Sequence, residues 1–328
     1  MDPYGIFSIH DESRFLDRAK AFFAHQKENN PVFKEFLMVL GRNQTPVHHY
    51  TDIPALPVEF FKSRKVVSGS PDNKLFFESS GTTGQTPSRH YISDLRLYEA
   101  SFSEGFRQFY GDPQDWVILA LLPSYLEREH SSLVYMVKEL IRQSGSPESG
   151  FFLNETDKLA RTLESLHQKP GKKILLLGVS FALLDFASRY TLNLKGITVM
   201  ETGGMKGRQR EMIRPELHEV LMSALGVDSI HSEYGMTEML SQAYSTGGGR
   251  FRTPPWLRVY ITHPEDPLVP VDSGKEGLIN IVDLANYHSC CFLATRDLGR
   301  LYPDGSFEVI GRHDLSDLRG CNLMVSNI

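Results

Sequence analysis

Between residues 116 and 234 the chain alternates short, uninterrupted apolar runs with amphipathic segments, and few folds accept that pattern. GITVMET reads as a strand, and WVILALL and KILLLGV carry apolar residues at nearly every position, not at every second one. A strand of that kind has to be covered on both faces. The intervening segments SSLVYMVKELIRQ, DKLARTLESLHQ and FALLDFASRY place their apolar residues at helical spacing. Helices alternating with doubly covered strands build an α/β fold around a mostly parallel sheet. DSIHSEYG adds a further strand, and a helix is expected from about Arg208 to Leu225 with Pro215 as an irregularity within it.

The flanks have a different texture. Phe15, Ala19, Phe22 and Phe23, then Val32, Phe33, Phe36, Leu37 and Leu40, repeat at helical spacing, and Gly41 ends the second run. IPALP, with Pro54 and Pro57, reads as a rigid connector. KLFFE is strand-like, and DLRLYEASFSEGFRQF is helix-like. Beyond about Thr246, WLRVYIT, GLINIVDL, FLATRDLGRLY and SFEVIG are strands, with a hairpin signal at Asp304-Gly305. The expected division is a helical N-terminal region over 1–73, an α/β core over 74–245, an antiparallel β-rich subdomain over 246–310 and a short C-terminal segment over 311–328.

Charge and cysteine usage exclude several function classes. A net charge of −5 with no basic cluster argues against nucleic acid as the main partner. The longest apolar runs fall far short of the roughly 20 residues that span a bilayer. Cys290, Cys291 and Cys321 form no CxxC pair and no Cys/His zinc spacing. The N-terminus lacks a basic stretch followed by an apolar core. A cytoplasmic, reducing location is the expectation.

Five segments carry chemistry-bearing residues. FESSGTTGQTPSRH, just after a strand, concentrates Ser79, Ser80, Gly81, Thr82, Thr83 and Gly84. Free backbone N–H groups and hydroxyls in such a loop suit phosphate oxygens. No Lys follows Gly84, so it is not a P-loop of the GxxxxGK[ST] kind. ETGGMKGR brings Gly203, Gly204, Met205 and Lys206 to a strand end, where a flat ligand can approach the backbone. In HSEYGMTE, Tyr234 offers a stacking ring beside Gly235, Thr237 a donor, and Glu238 an oxygen ligand for Mg²⁺. Asp297 in TRDLG can accept from both hydroxyls of a ribose, and Arg312 in GRHD supplies a planar cation. Taken singly, each reads equally well as an ordinary turn or core residue.

In this order and spacing the five segments resemble the acyl-adenylate-forming superfamily, with SSGTTGQTP, TGGMK, YGMTE, TRDLG and GRHD standing at its motif positions. The resemblance spans about Leu75 to Asp314. LPVEFFKS, LPSYLEREHSSLVYMV and the closing LRGCNLM further resemble the acyl-protein synthetases of the LuxE type. It implies the fold of that superfamily's N-terminal domain, use of ATP and Mg²⁺, activation of a carboxylic, fatty-type acid as acyl-AMP, and loading of the acyl group on Cys321 before transfer to a protein partner. Ser79 to Gly84 would then hold phosphates, Gly203 to Lys206 with Tyr234 and Gly235 adenine, and Asp297 and Arg312 ribose. Thr237, Glu238 and His231 would attend the reacting groups. The superfamily's Lys after the loop proline is missing, since Ser88, Arg89 and His90 follow Pro87, and its mobile lid with a second Lys is not expected in the short segment after Asp314. Arg89 or a partner would replace that charge. A coenzyme A or carrier-protein ligase of the same superfamily, and a non-catalytic nucleotide- or acyl-binding subunit, stay open on the sequence.

Overall fold

The computed structural model describes residues 2–69, 75–79, 86–123, 130–168, 171–203 and 212–313. Within them the helices are α1 (Glu12–Asn29), α2 (Pro31–Val39), α3 (Phe60–Ser63), α4 (Leu95–Tyr110), α5 (Ser132–Ser144), α6 (Thr156–His167), α7 (Ser180–Arg189) and α8 (Arg214–Leu225). The strands are β1 (Leu56–Pro57), β2 (Phe76–Glu78), β3 (Arg89–Tyr91), β4 (Trp116–Leu121), β5 (Gly150–Phe151), β6 (Lys173–Val179), β7 (Thr198–Thr202), β8 (Ile230–Tyr234), β9 (Ala243–Ser245), β10 (Leu257–Thr262), β11 (Glu276–Asp283), β12 (Phe292–Leu301) and β13 (Phe307–Arg312).

The first sheet runs β5-β4-β6-β7-β8-β9, parallel up to β8 and closed by antiparallel β9. Every residue of β4 is buried, and so is every residue of β6 after Lys173. The continuous apolar runs are therefore covered on both sides, as their composition requires. Helix α4 contributes Phe102 and Phe106 to this core. Parallel strands all end at one edge, and in open α/β sheets ligands bind beyond that carboxyl edge. Val179, Thr202 and Tyr234 are the last residues of β6, β7 and β8.

The second sheet is antiparallel through β10, β11, β12 and β13, with β1 added parallel to β12. Gly305, at φ +77°, turns the chain from β12 into β13 at the expected hairpin. The IPALP segment does more than connect. Leu56 and Pro57 pair with Leu293 and Ala294, and Val58 N–H donates to the Ala294 carbonyl at 3.0 Å. The N-terminal helices also pack against this sheet. The buried Gln26 amide donates to the carbonyls of Asn286 and Tyr287 at 3.0 and 2.9 Å, and its oxygen accepts from Cys291 N–H at 2.9 Å. Pro215 is no irregularity. It stands in the first turn of α8, where a missing N–H costs nothing. Residues 208–211 of the expected helix lie outside the described residues.

The third sheet is the hairpin of β2 and β3, which carries the hydroxyl-rich loop. Among the described residues no helix is long and apolar enough to cross a membrane.

Candidate active site

Of the expected site residues, Ser80, Gly81, Thr82, Thr83, Gly84, Gly204, Met205, Lys206 and Cys321 lie outside the described residues.

Ser79 and Ser88 bracket the loop. Ser79 N–H donates to the Ser88 carbonyl at 3.0 Å, and Ser88 N–H returns to Ser79 Oγ at 2.9 Å. Two residues on, β3 alternates its side chains. His90 is buried and turns inward, where its Nδ1 lies 2.9 Å from the Thr237 carbonyl oxygen. Arg89 therefore faces the other side, where its exposed guanidinium pairs with Glu78 at 2.8 Å and covers the Phe76 ring. The hairpin brings His90, and not Arg89, to the Thr237 turn.

Gly203 follows β7 with φ +73°, a conformation that L side chains rarely adopt. Ser180 Oγ, at the start of α7, lies 2.8 Å from the Gly203 carbonyl oxygen and 3.0 Å from Glu201 Oε2. Burial opposes the charge of Glu201, but His218, the Arg214 guanidinium at 3.0 Å and nearby hydroxyls outweigh it and hold the carboxyl below its ordinary range. Arg214 also donates to the Val309 carbonyl at 2.8 Å, so one side chain joins the Gly203 end of the first sheet to β13.

On the neighbouring strand, Thr202 donates to Glu233. Burial, with the charge of Glu201 adding to it, pushes the Glu233 carboxyl up to about 7 against that hydrogen bond. Its Oε1 sits under Gly235, where an added Cβ would lie 2.5 Å away. The glycine of the YG pair is thus the residue that leaves room for this carboxyl. Glu233 binds a proton in the folded state that the unfolded chain has released, in the window from about 4.5 to about 7, so stability falls as pH rises through it. Glu233→Gln removes that loss. Its stability advantage over the wild type, read by urea unfolding, is expected to grow by about 2 kcal/mol between about pH 5.5 and about pH 8. An advantage independent of pH would show that Glu233 is ionised in the fold.

Tyr234 ends β8 with its ring against Phe251 and Phe307 and its hydroxyl donating to Asp297 Oδ2 at 2.8 Å. Asp297 in turn stands opposite Arg312 in the β12–β13 register. These contacts bring three of the five segments to one place, at the carboxyl edge of the parallel sheet and next to Gly203. Strand neighbours β7 and β8 supply the fourth, and the His90–Thr237 bond supplies the hairpin. His231 is less central. It is the second residue of β8, half-buried, with Nδ1 3.2 Å from the Tyr110 hydroxyl. Glu238 is buried, and its carbonyl accepts from Asn286 Nδ2 at 2.8 Å.

Sequence reasoning missed His90, Ser180, Glu201, Arg214, Glu233, Asp283 and Asn286. The one signal available was a carboxylate at the end of an otherwise apolar run, as in VMET, IHSEY and INIVD. A charge there needs a buried partner.

The fold is that of the acyl-adenylate-forming enzymes. The structure of 2-hydroxyisobutyryl-CoA ligase in complex with 2-HIB-AMP and CoA superposes with a TM-score of 0.67 at 14% identity, over 93% of this chain and 70% of that one. ATP-bound MatB from Rhodopseudomonas palustris gives 0.56 at 19% identity, over 74% of this chain. That match takes in 49% of MatB, so the chain corresponds to about half of it. In sequence, the long-chain-fatty-acid–luciferin-component ligase of Vibrio harveyi is 23% identical over 346 aligned positions, covering 98% of this chain and 89% of that protein. The family model described as acyl-protein synthetase, LuxE, matches residues 13–328. The match takes in nearly the whole chain, and the chain belongs to the LuxE acyl-protein synthetases.

Proposed function

We propose that this protein uses ATP to convert a carboxylic acid, of the long-chain type, into acyl-AMP and then moves the acyl group to the thiol of Cys321, from which a protein partner takes it. The observation that carries the reading is the Tyr234–Asp297 hydrogen bond beside Gly203 and Arg312. It joins motif segments far apart in sequence at the edge where α/β sheets bind nucleotides.

The chemistry follows from the groups present. A carboxylate oxygen attacks the α-phosphorus of ATP, the bond to the bridging oxygen breaks, and pyrophosphate leaves. The attack needs alignment and neutralised phosphate charge. The loop from Ser79 to Gly84 and Thr237 supply donors for the phosphates. Asp297 accepts from the ribose, and Arg312 lies beside it. The Cys321 thiolate then attacks the acyl carbon and expels AMP. Among the described residues no group of three or more His, Cys, Asp or Glu side chains forms a metal site. Glu238 is the carboxylate that would hold an Mg²⁺ arriving with the triphosphate. Such an ion would offset charge on the phosphates.

The test is carboxylate-dependent exchange of labelled pyrophosphate into ATP, run over a series of acids, with acyl label followed on the protein. Exchange that rises with chain length, together with a hydroxylamine-labile label, is the expected result. Coenzyme A consumption without protein label would replace the proposal with a coenzyme A ligase. Nucleotide binding with neither exchange nor AMP would leave a binding subunit.

A further inference from the structure

Five hydrogen bonds converge on the turn that follows Tyr234. His90 Nδ1 meets the Thr237 carbonyl at 2.9 Å, and Asn286 Nδ2 donates to the Glu238 carbonyl at 2.8 Å. Asp283 Oδ2 accepts from the N–H groups of Leu240 and Ser241 at 2.9 Å each, while Asp283 Oδ1 accepts from Ser241 Oγ at 2.6 Å. Asp283 and Asn286 belong to one stretch, the end of β11 and the 3-10 turn Leu284–His288. They fix the turn to the second sheet. His90 comes from elsewhere, the β3 strand that returns from the hydroxyl-rich loop.

We propose that His90 is a positioning residue for adenylation, acting through Nδ1–H, which holds the Thr237–Glu238 turn in register with the β2–β3 hairpin. The proposal rests on the adenylation reading above. A carbonyl can only accept, so Nδ1 carries the proton. In a neutral imidazole Nε2 is then the acceptor, and Ser289 Oγ–H donates to it at 2.8 Å. The carbonyl fixes the tautomer, and the Ser289 hydroxyl turns to suit it. Burial pushes the His90 imidazolium down to about 4, so the ring is neutral near pH 7. His90 is 1% exposed and Ser289 2%. Sealed from solvent and weakly basic, the pair does not serve as a nucleophile and its base. What it does is mechanical. The β2–β3 hairpin and β8, which leads into the turn, belong to different sheets, and reacting groups misplaced by about 1 Å lose on the order of 100-fold in rate.

Two substitutions separate the two nitrogens. In His90→Asn the amide nitrogen falls where Nδ1 was, keeping a donor for Thr237 and abandoning Ser289. In His90→Gln the amide reaches the Nε2 position, keeping Ser289 and abandoning Thr237. Both shrink a buried ring, so both lose stability, read by thermal unfolding. With kcat and ATP KM taken from carboxylate-dependent pyrophosphate exchange, His90→Gln is expected to lose about 100-fold in kcat with KM changed by less than about threefold, and His90→Asn to stay within about fivefold of the wild type. Amide hydrogen exchange over residues 236–241 should rise in His90→Gln and not in His90→Asn. Equal falls in kcat, matched to equal losses of stability, would reduce His90 to a core residue and overturn the proposal, as would wild-type kcat in His90→Gln. A wild-type protein that catalyses no exchange with any acid, while the amide pattern holds, would sink the adenylation reading and leave the coupling of His90 to the turn standing.

Discussion

Cys321→Ala is expected to reduce acyl label on the protein to background while leaving carboxylate-dependent pyrophosphate exchange at the wild-type rate. The sequence holds three cysteines, and two of them sit where a nucleophile cannot work. Cys290 and Cys291 are both 0% exposed. Burial pushes the Cys290 thiol up to about 12, and a backbone hydrogen bond with Phe292 only partly offsets it. Burial raises Cys291 as well, its neighbour's charge adds to the shift, and the Gln26 amide at 3.3 Å only partly offsets it. A thiol with a pKa near 12 is thiolate to the extent of about one part in 10⁵ at pH 7, and thiolate is the form that attacks. Under the proposed function the acyl thioester is assigned to Cys321, which lies outside the described residues in the segment matched by the family model. The exchange reaction stops at acyl-AMP and does not use the thiol, so the two readouts separate. Cys321→Ser should give at most an oxygen ester, stable to neutral hydroxylamine. Full labelling of Cys321→Ala would remove that residue from the mechanism.

The elements visible in the sequence were those whose burial is written into composition. β4 and β6 are apolar along nearly their whole length because parallel strands are covered on both faces. The motif segments were visible because glycines and hydroxyls cluster there in a recognisable order. The short strands were not. β1, β5 and β9 are two or three residues long, and only their tertiary neighbours decide that they pair. Pro57 argued for a connector, yet proline is tolerated in an edge strand such as β1. The supporting residues were hidden for a related reason. His90 meets Thr237 across 147 positions, Asp283 meets Leu240 across 43, and Asn286 meets Glu238 across 48. A lone polar residue in an apolar run announces that it has a partner, not which one. Arg89 was a natural candidate by charge, but strand alternation hands the interior to its neighbour.

Asp297→Ala should lower kcat/KM for ATP by about 10²–10³-fold in pyrophosphate exchange, since a charge-assisted hydrogen bond is worth roughly 1.5–3 kcal/mol and the ribose offers two hydroxyls. The structure adds a second consequence. Asp297 is the acceptor for the Tyr234 hydroxyl, on a buried residue at the end of β8. Truncation leaves that hydroxyl without its partner, at a cost of about 1–3 kcal/mol in stability. Two further variants pull these effects apart. Tyr234→Phe removes the hydroxyl and keeps the carboxylate, so its kcat/KM is expected to stay within about tenfold of the wild type, the range of one ordinary hydrogen bond. Asp297→Asn retains an oxygen for Tyr234 but halves the acceptors and loses the charge, so it should keep the stability of the wild type and fall between the other two in activity. That ordering, with most of the loss in KM for ATP and little in KM for the acid, is what a ribose contact predicts. A carboxylate that merely braces Tyr234 would give Asp297→Ala and Tyr234→Phe the same kinetics, and Asp297 would then have no place in the nucleotide site.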